Sequence, residues 1–489
     1  MALATLLCTI SLALLSYGQP EISENHNSSD LLCTCNKIAV ALSGASQVFF
    51  PPTSEYLFDI EHAASSSTEA SACSVEPGSV EDVSEILRIL GSTRTPFAVK
   101  GGGHATNPGF SSTTGVQISM SRFNETKVNL MSGTVEVGPG LTWDQVYATL
   151  EPTGVNVVGG RVAGVGVAGL TLGGGYSFLT SQYGLAVDNV AGYELVLPNG
   201  TITNVTSEDR DLWFGLRGGL NNFGVVTKFI LKSHPQSDIW GGFLLYSENQ
   251  LDAIKGALVN FQKKNDTKAE VITTRSYSSG QFSIGVAYFY DAPTPSRVFD
   301  CLLDIPATGG NVSTRSFADL VQNLGPLVST NGLRLFYAGA PVSQYSPAIF
   351  DSFVNQIKLW GPHLWALDKN VTVVATLEPF DKGLFSHGSD SAYPPDRSHA
   401  IFPSVFSVQW SNASLDEKMA FALRNMSNII RAAALTDGQN VSHAAVYVNY
   451  ALYDTPLEDM YGGNVGRLRK IRAAIDPDDV MGLSGGFKF

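Results

Sequence analysis

Clusters of glycine constrain the fold of this chain more than any other feature of its sequence. One cluster is the run of residues 101–103 before His104, a second lies within residues 159–175, and a third is at residues 218–219. Glycine is favoured where the backbone adopts a positive φ or closely approaches a ligand. Consecutive glycines also leave backbone N–H groups free to form a concave anion site, which would suit a pyrophosphate. From the residues alone, turns and phosphate-binding loops are equally good interpretations.

The second cluster contains spacings similar to GxGxxG, the dinucleotide-binding fingerprint. No clear βαβ unit surrounds this segment, and no acidic residue stands at the offset that the fingerprint requires. His104 is ambiguous by itself, because a loop histidine more commonly bonds a nearby carbonyl group. The glycine clusters therefore indicate where a cofactor would bind without identifying it.

Length and composition narrow the class of protein. With about 150 residues per domain as a guide, 489 residues correspond to two to four folding units. Hydrophobic residues make up 44% of the chain and charged residues 15%, which is typical of folded proteins rather than disordered ones. The formal net charge of −13 argues against a nucleic-acid partner, because such partners require a basic face.

The N-terminus has the pattern of a secretory signal peptide. Residues 1–19 contain an apolar run that is too short to span a bilayer, as in a signal peptide. The segment lacks the Lys and Arg that usually precede such a run. A buried N-terminal helix is the alternative interpretation. Asn-x-Ser/Thr sequons, typical of exported glycoproteins, occur at Asn27, Asn124, Asn199, Asn204, Asn265, Asn311, Asn370, Asn412, Asn425 and Asn440. No later apolar stretch could span a membrane, so we expect a secreted protein with N-linked glycans and no membrane partner.

Cysteines downstream of the signal peptide also fit an oxidising compartment. Either Cys33 or Cys35 would pair with Cys73, and the spacing does not decide between them. A metal site at Cys33 and Cys35 is the alternative, but the further Cys and His ligands expected nearby are missing. We therefore predict a disulfide bond and no metal.

The pattern of residues 70–235 predicts an α+β domain. Residues 79–90 are typical of an amphipathic helix with Ser79 as its N-cap. Short strands are predicted at residues 97–100, 116–120, 134–137, 192–197 and 201–205, with a hairpin turn at residues 198–200.

Residues 238–435 predict a second domain, in which a sheet is backed by helices. Its predicted strands include residues 281–290 and 371–377, and its predicted helices include residues 251–263 and 415–434. The C-terminal segment then predicts an aromatic strand at residues 446–450 and a basic helix at residues 465–474, which return to the first domain. In such a strand Tyr447 and Asn449 would share one face, with Tyr450 on the other.

Taken in order, these segments resemble the berberine bridge enzyme-like FAD-linked oxidases, a branch of the vanillyl-alcohol oxidase superfamily. The similarity covers about residues 70–489 and includes FAVKGGGH at residues 97–104 and YVNY at residues 447–450. Further matching segments are residues 159–175, 183–190, 211–219, 222–226, 461–462 and 476–477. Each segment alone is unspecific, whereas the ordered set is specific.

The resemblance implies an α+β fold with a two-part PCMH-type FAD-binding domain and a substrate-binding domain. An antiparallel sheet backed by helices in the second domain would cover the isoalloxazine ring. The implied boundaries are residues 20–237 for the FAD-binding domain, with its core at about residues 69–236, and residues 238–440 for the substrate-binding domain. Residues 441–489 would form the C-terminal segment of this family, which returns to the FAD-binding domain.

The resemblance also implies which residues bind FAD, with His104 bonded covalently to the flavin. The implied cofactor residues are Lys100, Gly101, Gly102, Gly103, His104, Ala105, Gly160, Gly166, Gly169, Gly173, Gly174, Gly175, Asp188, Val190, Val226, Tyr447 and Asn449. Val162 replaces the cysteine that makes a second flavin bond in many members, so we expect attachment through His104 alone. Gly160 corresponds to a small residue that leaves space for dioxygen in the oxidases of the family.

The resemblance offers Tyr450 as the catalytic base, with Glu378 and Tyr393 as alternatives on strands that cover the flavin. A tyrosine with its ordinary pKa near 10 is a poor base at neutral pH unless its surroundings depress that value, and a packing role is the alternative. We predict a secreted FAD oxidase that transfers a hydride from an alcohol, lactol or secondary metabolite to flavin N5, with dioxygen reduced to hydrogen peroxide. An FAD-linked dehydrogenase, an oligosaccharide oxidase and a flavin-free binding glycoprotein are the alternatives.

Overall fold

The computed structural model describes residues 28–263, 265–327 and 329–489. The predicted signal peptide and the sequon at Asn27 lie outside these ranges. Helices and strands follow one another along the described chain, and the fold is α+β as predicted. None of the described helices combines the length and the apolar character needed to cross a membrane.

The first sheet leads the chain into the first glycine run. Its elements are α1 (Ser28–Ala41), β1 (Gln47–Phe49), α2 (Ser54–Ile60), β2 (Cys73–Glu76), α3 (Val80–Thr93), β3 (Phe97–Lys100) and β4 (Val116–Ser119). The strand order is β1-β2-β4-β3, with β2, β4 and β3 parallel and β1 antiparallel. Ser79 caps α3 as predicted, because its hydroxyl accepts a hydrogen bond from the Asp82 amide. Residues 101–103 follow directly at the carboxyl end of β3.

A second, antiparallel sheet follows. Its region contains β5 (Thr126–Asn129), β6 (Thr134–Val137), α4 (Trp143–Leu150), β7 (Val155–Asn156), α5 (Val167–Leu172), α6 (Thr180–Tyr183), β8 (Val190–Val196), β9 (Ile202–Val205), α7 (Arg210–Leu216), β10 (Val225–Lys232) and β11 (His234–Pro235). The order is β5-β6-β10-β8-β9, and β7 pairs separately with β11. β8 and β9 form the hairpin predicted from residues 198–200, where Gly200 adopts a φ of 83°.

A seven-stranded antiparallel sheet dominates the rest of the chain. This region contains β12 (Ile239–Tyr246), α8 (Leu251–Phe261), β13 (Ala269–Ser278), β14 (Gln281–Tyr290), α9 (Asp300–Leu303), β15 (Gly309–Arg315), α10 (Phe317–Leu324), β16 (Arg334–Gly339), α11 (Pro347–Leu367), β17 (Thr372–Leu377), β18 (Val405–Trp410) and α12 (Asp416–Thr436). The order is β15-β12-β14-β13-β17-β18-β16. α11 and α12 pack against one face, which confirms an antiparallel sheet backed by helices.

The other face of this sheet points toward the glycine-rich segments. Gly339 of β16 lies against Val446 and Tyr450, and Phe289 of β14 stacks on Phe178 with ring centroids 4.9 Å apart. One hydrophobic core extends across this contact, because buried residues of β6, β8 and β10 belong to the same cluster as those of β13 and β17. The site described below lies between the two layers.

The C-terminal segment returns to the first half of the chain. It contains α13 (Leu457–Tyr461) and α14 (Val465–Ile475), and the Asn222 side chain donates a hydrogen bond to the Phe487 carbonyl at 2.9 Å. The predicted strand at residues 446–450 is wrong, because Val448–Tyr450 forms a 3-10 turn. The Tyr450 amide donates to the Tyr447 carbonyl at 2.8 Å, and the packing of neighbouring aromatic rings outweighs the local strand preference.

Short 3-10 helices connect many of these elements. Their bounds are Ser65–Ser67, Glu151–Thr153, Ala186–Asn189, Leu220–Asn222, Glu248–Gln250, Arg297–Phe299, Gly325–Leu327, Leu384–His387, Ala413–Leu415, Val448–Tyr450, Gly462–Asn464 and Met481–Leu483.

The disulfide bond joins Cys35 of α1 to Cys73 of β2, which decides the pairing that the spacing left open. Cys33 is exposed on another face of α1 and has no disulfide partner among the described residues.

Candidate active site

Two glycine segments touch each other and form one wall of the site. A Cβ atom on Gly102 would lie 2.5 Å from the Gly166 Cα, and a Cβ on Gly166 would lie 2.6 Å from the Gly102 amide nitrogen. Glycine is therefore required on both sides of the contact, and the two loops form a single surface. A Cβ on Gly169 would meet nothing within 4 Å, so this part of the wall borders open space.

Free amide groups line the same wall. The backbone N–H groups of Gly102, Gly103, His104 and Ala105 donate no hydrogen bond to another of the described residues. Gly103 adopts a φ of 68°, so the run departs from the strand geometry of β3. Successive unpaired amides in such a turn form a concave site for an anion. The residues present therefore fit a pyrophosphate, and they would hold that part of FAD.

His104 is half-buried beside this wall. Removal from solvent lowers the pKa of its imidazole, and a hydrogen bond with its own backbone partly opposes this effect. A lowered pKa keeps the ring neutral at physiological pH, with one nitrogen lone pair available. This is the protonation state that a histidine needs in order to bond to carbon.

The predicted residues at the end of the glycine run also come together. A Cβ on Gly173 would lie 2.2 Å from the Asn449 side-chain oxygen, and the Gly175 amide donates to the Tyr447 hydroxyl at 3.1 Å. The Asn449 side-chain amide donates to the same hydroxyl at 2.8 Å. A Cβ on Gly174 would meet the Tyr393 ring at 2.8 Å. The glycines here make room for a cluster of tyrosines.

Other predicted cofactor residues have their side chains engaged elsewhere. The Lys100 ammonium donates to the Phe58 carbonyl at 2.8 Å, so it points to the end of α2. The Asp188 carboxylate is buried and accepts hydrogen bonds from Arg217 and Arg397, each at 2.8 Å. The remaining two of this group, Val190 and Val226, are buried in β8 and β10.

Gly160 has a packing reason that the sequence did not reveal. A Cβ on this residue would lie 2.5 Å from the Trp143 ring and 3.3 Å from Leu170. The missing side chain makes room for the indole of α4. The indole therefore gives a packing reason for glycine at this position, and the expectation that Gly160 keeps space for dioxygen stays a prediction.

Glu378, Arg161 and Tyr450 form a hydrogen-bonded triad beside the glycine segments. Arg161 donates to one oxygen of Glu378 at 2.5 Å, and the Tyr450 hydroxyl donates to the other at 2.8 Å. Arg161 also donates to the Tyr450 oxygen at 3.1 Å, which closes the ring of contacts. Glu378 is 1% exposed and follows directly after β17. The Tyr450 ring packs against the Tyr447 ring with centroids 4.9 Å apart, so Tyr450 does not lie on the opposite face from Tyr447 as the strand pattern predicted.

The electrostatics of the triad assign different roles to its members. Burial raises the pKa of Tyr450 well above its ordinary value, the nearby Glu378 carboxylate raises it further, and Arg161 opposes both. Burial acts to lower the pKa of Arg161, but Glu378 and Tyr450 outweigh it and raise that pKa. Tyr450 is therefore protonated at neutral pH and donates its proton to a carboxylate that Arg161 stabilises.

Arg161 is a residue that sequence reasoning missed. It is the only Asp, Glu, Lys or Arg between Glu151 and Asp188, in a segment that otherwise consists mainly of glycine and apolar residues. A single charge in such a run is costly to bury without a partner. This isolation was the available signal, although the partner lies more than two hundred residues away.

Tyr393 belongs to the site but not to a strand, which corrects the prediction. It lies in the loop between β17 and β18, where its amide donates to the Arg217 carbonyl at 3.2 Å. Its hydroxyl forms a hydrogen bond with that of Tyr176 at 3.2 Å, and burial raises its pKa. Tyr393 is therefore a neutral packing partner of Tyr447, whose ring centroid is 5.4 Å away.

Glu270 is a second buried carboxyl group that the sequence did not single out. It is 2% exposed, on β13, and accepts a short hydrogen bond from Ser181 of α6. The Ser181 hydroxyl in turn accepts from the Asp381 amide at 3.0 Å. Burial raises the pKa of Glu270 well above its ordinary value. Among the residues described here, no group of three or more His, Cys, Asp or Glu side chains could hold a metal ion.

Comparisons with known proteins agree with this architecture. The FAD binding domain family matches residues 71–206, and the berberine and berberine-like family matches residues 446–484. An FAD-dependent monooxygenase of Fusarium proliferatum is 31% identical over 440 residues, which span 84% of this chain and 83% of that protein.

Solved structures show the same fold at lower identity. 6-Hydroxy-D-nicotine oxidase from Arthrobacter nicotinovorans has a TM-score of 0.76 at 19% identity, covering 91% of this chain and 98% of its own. The berberine bridge enzyme-like 1 protein of Physcomitrella patens has a TM-score of 0.72 at 20% identity, covering 92% and 97%. From the length of these matches and the residues present, the chain belongs to the berberine bridge enzyme-like family and is an FAD-dependent oxidoreductase.

Proposed function

We propose that the protein is a secreted oxidase that removes a hydride and a proton from an alcohol, a lactol or a related secondary metabolite. The carbon–hydrogen bond would lose its hydride to flavin N5, and dioxygen would be reduced to hydrogen peroxide. When bound, FAD supplies the hydride acceptor and the route of the electrons to dioxygen. The observation that supports this proposal is the triad of Glu378, Arg161 and Tyr450 beside the glycine-lined wall.

Proton removal is the part of the reaction that these side chains perform. A substrate hydroxyl that approaches Tyr450 would pass its proton to the phenolic oxygen while the tyrosine proton passes to Glu378, whose carboxylate oxygen lies 2.8 Å from the phenolic oxygen. Arg161 donates to both acceptors and stabilises negative charge on either of them. Glu378 is then the final base, and Tyr450 is the proton relay in front of it.

Covalent attachment through His104 is part of the proposal. The neutral imidazole after Gly103 supports it, and Val162 is the reason to expect no second, cysteinyl bond. After acid precipitation the protein should remain yellow, with one flavin mass on the peptide that contains His104. Flavin released completely into the supernatant would contradict the link, and His104→Ala is the control that should release it.

Secretion rests on the predicted signal peptide, the disulfide bond and the sequons. Exposed sequon asparagines are Asn124, Asn199, Asn204, Asn265, Asn311, Asn370, Asn412 and Asn440, and Asn425 is half-buried. Exposure is what glycosylation of these side chains requires. Expression with residues 1–19 in a eukaryotic host should give glycosylated protein in the medium, and retention of unglycosylated protein inside the cell would contradict this part of the proposal.

The acceptor is tested by measuring oxygen and peroxide together. The oxidase reaction forms one hydrogen peroxide for each substrate molecule oxidised, whereas a dehydrogenase would consume little oxygen. The Fusarium relative carries the name of a monooxygenase, which favours a second candidate in which an oxygen atom enters the product. Peroxide well below substrate consumption, with oxygen in the product by mass spectrometry, would favour this candidate. A colourless protein without flavin absorbance would instead indicate a binding glycoprotein.

A further inference from the structure

Three side-chain hydroxyl groups on neighbouring strands of the seven-stranded sheet have no hydrogen-bond partner among the residues that the structure describes. Tyr337 of β16, Ser407 of β18 and Thr376 of β17 are half-buried, and none of their hydroxyls forms a hydrogen bond with another described residue. Ser407 lies directly opposite Tyr337 and also opposite Val374, two residues before Thr376. The three groups are therefore neighbours on one face of the sheet.

The face of the sheet that carries these three hydroxyls points toward the triad of Glu378, Arg161 and Tyr450. The Tyr337 ring centroid lies 6.0 Å from that of Tyr450. Residues two apart in a strand share a face, and Gly339, two residues after Tyr337, lies against the Tyr450 backbone and Cβ. The opposite face is covered by α11 and α12. The free hydroxyls thus lie beside the group that would relay the substrate proton.

Other hydroxyls on the same face are satisfied, which makes the contrast informative. Ser276 bonds Ser283 across β13 and β14 at 2.7 Å, and Ser278 bonds Thr372 across β13 and β17 at 2.9 Å. Partly buried polar groups normally have partners, because leaving one unpaired costs about 1–3 kcal/mol. Hydroxyls without protein partners are therefore placed to bind a solute or water.

We propose that Tyr337, Ser407 and Thr376 form a recognition subsite for oxygen atoms on the part of the substrate remote from the reacting carbon. The favoured substrate is an oxygenated ring compound, with hydroxyl or carbonyl groups that accept a hydrogen bond from Tyr337. Removal from solvent raises the pKa of Tyr337 to about 12, so its hydroxyl is a neutral donor at physiological pH. This inference rests on the proposed function, because it assumes that the substrate reaches the reacting centre from the side of Tyr450.

The test compares two probes that differ by one remote hydroxyl group, benzyl alcohol and 4-hydroxybenzyl alcohol. Their dissociation constants for the FAD-loaded enzyme would be measured without oxygen by titration calorimetry, which requires no turnover. The wild type should bind the hydroxylated probe about three- to tenfold more tightly, as one net hydrogen bond predicts. Tyr337→Phe should remove most of that difference and leave benzyl alcohol unchanged. Ser276→Ala, on the same face but paired within the sheet, should behave as the wild type.

The experiment distinguishes failure of the subsite from failure of the proposed function. Equal binding of both probes by the wild type, no binding of the hydroxylated probe, or equal weakening of both by Tyr337→Phe would overturn the subsite. Oxidation of neither probe, with the binding difference intact and lost in Tyr337→Phe, would support the subsite and count against benzyl alcohols as substrates of the proposed oxidase.

Discussion

Among single residues, Glu378 holds the central position, because its two oxygens bond different donors from different parts of the chain. We expect Glu378→Gln to slow flavin reduction by substrate about 10²–10⁴-fold, the usual contribution of a general base. Tyr450→Phe should also slow this step, because the ring remains and only the relay hydroxyl is lost. Anaerobic stopped-flow absorbance of the flavin measures both rates.

A nearby tyrosine gives a matched control for this prediction. Tyr453 lies three residues after Tyr450, and its hydroxyl donates to Glu417 at 3.1 Å, outside the triad. Tyr453→Phe should keep the native rate of flavin reduction. If Glu378→Gln reduces its flavin as fast as the wild type, the carboxylate is not the base, and Tyr450 would have to act without it.

Glu270 gives a prediction for the dependence of stability on pH. Burial raises its pKa in the folded state, so the folded state favours the protonated form. The stability due to this group is fully present below the ordinary pKa of 4.5, and it is lost as pH rises through the raised folded value. Glu270→Gln removes this loss, at about 1.4 kcal/mol for each unit of pKa difference. The variant should therefore gain thermal stability relative to the wild type between pH 5 and pH 8.

The control for Glu270 uses an exposed carboxylate. Glu458→Gln changes a side chain at the surface and should leave the dependence on pH unchanged. A Glu270→Gln variant that is less stable than the wild type at pH 8 would show that the ionised carboxylate is tolerated there, contrary to the prediction.

The disulfide bond acts at the scale of elements, since it fastens α1 to β2. The two cysteines are separated by 38 positions, and closing a loop of that size stabilises the fold by about 4 kcal/mol in the chain-entropy estimate. Replacing Cys35 and Cys73 with Ser together should lower the free energy of unfolding by up to this amount. Cys33→Ser is the control and should have no effect, because Cys33 is exposed and unpaired. A loss of stability in Cys33→Ser as large as that in the double variant would indicate that Cys33, and not Cys35, pairs with Cys73.

At the scale of the whole molecule, a buried ion cluster around Asp188 helps to connect the two layers. Asp188, in the 3-10 helix before β8, pairs with Arg217 of the first half and Arg397 of the loop before β18. Removing one partner of a buried ion pair costs about 3–5 kcal/mol, so Asp188→Asn should destabilise the protein by that order. Calorimetric unfolding measures the effect.

An exposed ion pair serves as the comparison for Asp188. Arg469 pairs with Glu458 at 3.5 Å on the surface, and exposed pairs contribute about 0–1 kcal/mol. Arg469→Gln should therefore change stability little. Equal losses in Asp188→Asn and Arg469→Gln would mean that the buried cluster has no special role in connecting the layers.

Much of the fold could be predicted from local patterns. The capped helix α3, strand β14, the β8–β9 hairpin and the glycine run after β3 all follow from residues that are neighbours in the chain. Caps, alternation and turn residues act over a few positions, so their signals survive without tertiary information. The ordered motifs likewise determined the family and its FAD dependence.

Only the tertiary structure decided how the site is assembled. Arg161, Glu378 and Tyr450 are brought together from three distant segments, and burial then raises the pKa of Tyr450 and makes it a proton donor. The YVNY segment forms a turn because neighbouring rings pack around it, and Gly160 is glycine because Trp143 fills the adjacent space. Sequence by itself determined most of the elements and the cofactor class, because those depend on local geometry and composition. Long-range packing and desolvation determined which side chains meet beside the glycine-lined wall.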